Sequence, residues 1–136
     1  MNIQQEAIKL KGKWITTTFK EAKEGSVKSL IDEIVIDAVK GFVFYGIAVH
    51  DHKDTFRYFV GYPSIDGTVI LPQGNYYAVK KPKDAEQAYL KIKKMNLPIK
   101  PLFEGNPNYD ALPVKIEVYR DTGLNSELID ILIPLQ

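Results

Sequence analysis

Between Lys13 and Phe19 the chain reads KWITTTF, a run of β-branched and aromatic residues that predicts a strand. A charged connection over 20–25 leads to Ser26, a suitable N-cap. Apolar residues then recur at Val27, Leu30, Ile31, Ile34, Val35 and Ala38, the spacing of one helical face, and Gly41 is the expected stop. Ile36 and Val39 blur that face late in the run. Two strands follow, 42–49 and 55–62, joined across the polar stretch HDHKD as a hairpin. A short strand over 68–71 leads through Pro72-Gln73-Gly74-Asn75 into another at 76–81. The second helix has Asp84 as N-cap with Gln87 three residues on, and a stripe of Ala85, Ala88, Tyr89, Ile92 and Met95 that Asn96 and Pro98 end. Residues 97–113 read as a long proline-rich loop, and loops of that length are usually functional. Strands over 114–120 and 127–133, joined by the turn DTGLNS, complete the chain.

The order strand, helix, strand, strand occurs twice. GKWITT aligns with GNYYAV, and IAVHD with IEVYRD, which suggests pseudo-repeats over about 12–63 and 68–134. The fold expected is α+β, a single domain over 1–136. Its duplicated βαββ units would form a curved, mostly antiparallel sheet with two helices on one face. Because side chains alternate along a strand, Val114, Ile116 and Val118 form an apolar face expected to meet a helix, which directs Lys115, Glu117 and Tyr119 the other way. By the internal repeat, Val43, Tyr45, Ile47 and Val49 would also face a helix, leaving Phe42, Phe44, Gly46 and Ala48 opposite. An exposed aromatic face of this kind usually marks a ligand or partner site.

Composition narrows the chemistry. With 18 Lys and Arg against 17 Asp and Glu the net charge is +1, which argues against a protein that works by neutralising phosphates. The absence of cysteine removes thiol nucleophiles, disulfides and iron–sulfur clusters. The N-terminal MNIQQEAIKLKGKW lacks the apolar core of a secretory peptide, and no apolar run approaches the ~20 residues that span a bilayer, so a cytoplasmic protein without membrane contact is expected. There is no glycine-rich phosphate loop and no G-x-S-x-G elbow. His50-Asp51-His52 invites a metal reading, but successive residues point apart and polar residues suit a turn, so a solvated loop is expected and no metal or cofactor. The lysines at 80, 81, 83, 91, 93 and 94 read as a solvated face, with direct DNA binding not expected. Asp130 is expected at an edge or surface.

Glu117 carries most of the functional reading. A carboxylate among Tyr and Phe rings is costly to ionise without a cation, and ring faces attract cations, so the combination suits lipophilic cations or amines. Tyr119 shares its strand face, Phe44 lies on the corresponding face of the first half, and Trp14 and Tyr76 occupy equivalent places in the two halves.

The segment LPQGNYYAVKKP resembles the strand pair of GyrI-like small-molecule-binding proteins, IEVYRD followed by LIDILIPL resembles that family's closing hairpin, and TFRYFVGYP the matching strand of its first half. The family also supplies effector-binding modules to AraC-type and multidrug-responsive transcription regulators. The resemblance implies a duplicated βαββ fold with a ligand cleft between the halves, whose characteristic acid is Glu117. It also implies ligands that are hydrophobic and cationic in some members, hydrolysis of small electrophiles by an equivalent glutamate in others, and gyrase inhibition in one branch. The turns HDHKD and DTG depart from the Asp-Pro turn frequent in the family. The expected function is a stand-alone binder of hydrophobic, cationic or amine-bearing small molecules, with Glu117, Tyr119, Phe44, Trp14 and Tyr76 in its site. The alternatives are a hydrolase with Glu117 as general base, or a module acting on a protein partner in trans.

Overall fold

The computed structural model describes residues 1–35, 41–123 and 125–136. Eight strands form one antiparallel, curled sheet: β1 (Asn2–Gln5), β2 (Ile8–Thr17), β3 (Val43–Val49), β4 (Phe56–Pro63), β5 (Val69–Leu71), β6 (Gly74–Lys80), β7 (Val114–Asp121) and β8 (Ser126–Pro134). Three helices accompany them: α1 (Phe19–Lys23), α2 (Ser26–Ile34) and α3 (Ala85–Lys94). The strand order is β1-β6-β8-β7-β3-β4-β2-β5. The α+β class and the curved sheet are as expected. The strand–helix–strand–strand order also occurs twice, with β7 beside β3 at the centre of the sheet. Strands β1 and β5 are exchanged between the ends: β1 pairs with β6, and β5 pairs with β2. Each thereby covers backbone groups that would otherwise form an open edge.

Several local differences have simple causes. Strand β2 begins five residues earlier than the aromatic run suggests, because β5 pairs with Ile8, Lys9 and Leu10. The stretch expected as a charged connection contains α1. Thr18 caps it by accepting the Glu21 amide while Glu21 accepts the Thr18 amide, a reciprocal pair that satisfies two otherwise orphaned donors. Asp84 caps α3 by accepting the Gln87 amide, as its position predicts. The expected last turn of α2, with Ile36, Ala38 and Val39, lies outside the described residues.

The assignment of faces is reversed. Leu10 and Leu71 from one end of the strand order share a single buried cluster with Tyr76 and Ala78 from the other end, together with Tyr45, Ile47, Ile116 and Val118. Only a curled sheet brings these ends together. Its concave face is buried by its own strands with Leu102 and Phe103 of the 97–113 loop, with no residue of α1, α2 or α3 in the cluster. The helices take the convex face. Leu30 of α2 packs with Phe44, Tyr58 and Val60, while Ile92 of α3 packs with Ile131 and Ile133. Glu117 registers with Gly46 on one side and Ile131 on the other, so it lies on this helix-covered face. A bulge at Ile129 shifts the register of β8, since Val118 pairs with Asp130 but Tyr119 with Leu128. Asp130 consequently shares the register position of Val118 and pairs with Lys80 at 3.2 Å.

Gly61 shows how tightly the curl is packed. A Cβ there would overlap the end of the buried Phe59 ring and lie 2.6 Å from the Lys11 carbonyl oxygen, a backbone atom that cannot step aside. Gly61→Ala is expected to cost about 1–3 kcal/mol of stability, read as a lower urea midpoint at unchanged slope. An unchanged midpoint would show that the curl has slack at this point.

Candidate functional site

The two central strands, β3 and β7, lie between the α2 cluster and the α3 cluster. Here Glu117 is half-buried and surrounded by phenols. Tyr89 of α3 donates to its Oε2 at 2.8 Å, and Tyr119, two residues along β7, donates to Oε1 at 2.8 Å. The Tyr58 hydroxyl of β4 makes a longer contact with Oε1 at 3.5 Å. Burial, and after it the charge of Glu117, pushes all three phenols above their ordinary pKa. They therefore remain protonated and act as donors at neutral pH. Phe44, fully buried, stacks against Tyr119 with centroids 5.2 Å apart and planes 13° from parallel.

Gly46 makes this arrangement possible. It faces Glu117 across the β3–β7 ladder, and a Cβ on it would overlap the Tyr58 hydroxyl. Glycine inside a strand weakens the strand but permits close approach of another group, and here that group is a tyrosine reaching the carboxylate.

Of the five side chains expected in the site, Glu117, Tyr119 and Phe44 come together. Trp14 and Tyr76 lie on the concave face: Trp14 meets Phe59 at 5.2 Å, with the Arg57 guanidinium over its ring, and buried Tyr76 donates to the Pro72 carbonyl. The site contains two further residues, Tyr58 and Tyr89, that sequence reasoning assigned to ordinary strand and helix stripes. Gly46 in mid-strand was the available signal of a close contact at this place.

A charged cluster adjoins the carboxylate. Lys115, on the same strand and face as Glu117, donates to Asp110 at 2.9 Å and to Nε2 of His50 at 3.1 Å, with its ammonium over the Tyr89 ring. His50 is not the solvated turn residue expected. It is 5% exposed, because its amide donates to the Pro113 carbonyl and its carbonyl accepts the Asn106 amide, binding it beneath the long loop. That loop is packed along its length, with Leu97, Ile99 and Leu112 in the α3 cluster and Phe103 against Trp14. His52 stays exposed, and among the described residues no cluster of three or more metal-ligating side chains forms.

Burial and then the Lys115 ammonium hold the His50 imidazole down at about 4. An unfolded histidine titrates near 6.5, so between about pH 6.5 and 4 the unfolded chain binds a proton that the folded chain refuses. Stability should therefore fall as pH drops through that window, and His50→Gln should flatten the fall. Thermal melts across the window provide the check; identical pH profiles for both proteins would contradict a buried neutral His50.

No known family profile matches the chain, and no curated protein matches it either. Solved structures do match the fold. One is the structure of SAV2435 bound to tetraphenylphosphonium, with TM-score 0.64 and 14% identity, covering 100% of this chain and 93% of that one. Another is a protein from Staphylococcus aureus MU50 assigned to bacterial transcription regulation, with TM-score 0.57 and 14% identity, covering 100% of this chain and 97% of that one. Among the described residues, no helix is long and apolar enough to cross a membrane. The chain has the fold of these two proteins over its whole length.

Proposed function

We propose that the protein binds hydrophobic, cationic small molecules on the helix-covered face, with Glu117 as the countercharge, as a relative of the GyrI-like binding proteins. The observation that carries this reading is the half-buried carboxylate among Tyr58, Tyr89, Tyr119 and Phe44. Its nearest cation, Lys115, is already engaged by Asp110. The phenols donate hydrogen bonds to the carboxylate and bring no countercharge, so its charge remains available to a ligand. The surrounding ring faces attract the same cation through their quadrupoles and exclude water from it. That SAV2435, of similar fold, has been solved with a lipophilic phosphonium bound supports the choice of ligand class.

The hydrolase alternative uses the same carboxylate, whose oxygens accept phenol protons and keep a lone pair for water. Turnover separates the two readings: a binder saturates stoichiometrically, while an enzyme depletes excess substrate. The binding reading places Glu117, Tyr119 and Phe44 in the site and leaves Trp14 and Tyr76 as core residues of the concave face.

Calorimetric titration with tetraphenylphosphonium tests it. This ion has no N–H or O–H to donate, so charge and ring contact are the only terms available. Glu117→Gln keeps the shape and removes the charge, and is expected to weaken binding roughly tenfold or more, about 1.4 kcal/mol. Trp14→Phe should bind like the wild type. Equal affinity in wild type and Glu117→Gln would remove the carboxylate from the function.

A further inference from the structure

A concavity lies between α3 and β6, and Glu117 does not line it. Tyr77 and Val79 of β6 form its floor, Ala88, Ile92 and Met95 of α3 form one wall, and Pro82 closes an end. Its volume is about 740 Å³, within the range of small-molecule sites. The groove exists because the sheet continues past α3: β1 extends it beyond β6, while the helix is centred over β6 and β8. Ala88, small and at mid-helix, leaves the space between helix and strand unfilled.

The rim gives the groove a sign. Lys83 and Lys91 both line it, and both are exposed. Neither belongs to the ion pairs formed among the described residues, whereas Lys80 and Lys93 are paired with Asp130 and Asp110. The rim holds one acid, Asp84, which caps α3 by accepting the Gln87 amide, against the two lysines, so its net charge is positive. We propose that this groove binds an amphiphilic anion, a carboxylate with an apolar body, whose chain lies over Tyr77, Val79, Ala88 and Ile92 and whose head group meets Lys83 and Lys91. Its charge preference is opposite to that proposed for Glu117, so the molecule would carry two separate sites of opposite sign.

Amide NMR titrations with decanoate and with decylammonium, which share a chain and differ in head group, test the inference. Decanoate should bind saturably, with shifts concentrated at β6 and α3, and decylammonium should bind more weakly there. Lys83→Glu combined with Lys91→Glu alters only exposed side chains and should weaken decanoate about tenfold. Ala88→Leu should narrow the groove and weaken binding of the chain, while Glu117→Gln should leave decanoate affinity unchanged. The proposal is overturned if decanoate fails to saturate below millimolar concentration, if decylammonium binds the groove equally well, or if the double charge reversal has no effect. Loss of decanoate binding in Glu117→Gln would also overturn it, by placing the ligand at the other site. If Ala88→Leu does not fold, the double charge reversal decides.

Discussion

A carboxylate on a face made of rings and aliphatic side chains is stable only if something else supplies the hydrogen bonds that water would have made. At Glu117 that need is met from three directions. One phenol comes from the same strand, one from a strand two places away and one from the helix above. Each constrains a different element: Tyr119 the local pleat of β7, Tyr58 the absence of a side chain at residue 46, and Tyr89 the rotation of α3 about its axis. The packing of the helices over the centre of the sheet and the polarity of the site thus depend on one another. Removing the acid would leave partly buried hydroxyls to find new acceptors.

The curl of the sheet gives Glu117 its setting. Strands twist with a fixed hand, and in this eight-stranded sheet the curl brings side chains from the two ends into one cluster. The concave side is covered by the sheet itself together with Leu102 and Phe103 of the long loop, and apolar residues from all the strands fill it. Alternation along β7 was legible in the sequence as Val114, Ile116 and Val118 against Lys115, Glu117 and Tyr119. Which of these faces meets the helices was not, because the rule that the more apolar face meets a helix holds for a flat sheet and fails for one whose concave face is buried by its own curl. The grouping of Glu117, Tyr119 and Phe44 survives the reversal, since it depends only on period and register. Trp14 and Tyr76 occupy a different face because their strands carry those residues in the opposite phase relative to Glu117.

Features set by non-local contacts were the least legible. His50 sits in a run, HDHKD, whose composition is that of a solvated turn. It is buried because residues 106 and 113, more than fifty positions away, hydrogen-bond its backbone. Tyr89 lies on a helical stripe indistinguishable by spacing from core residues, and only the three-dimensional path of α3 brings its hydroxyl to Glu117. By contrast, the Asp84 cap and the strands from residue 114 onward rest on neighbours within a few residues and were readable. The Thr18–Glu21 box of α1 was equally local, and its sequence signature was present though overshadowed by the charged run that follows.

The central claim is that a cation meets the ring-lined face at Glu117, and the most direct test is to locate the ligand. Intermolecular NOEs between tetraphenylphosphonium protons and the protein should connect the ligand to the rings of Tyr89 and Tyr119. The ring of Trp14, on the opposite side of the sheet, should give none. Contacts to Trp14 or Tyr76 in place of the Glu117 phenols would contradict the claim.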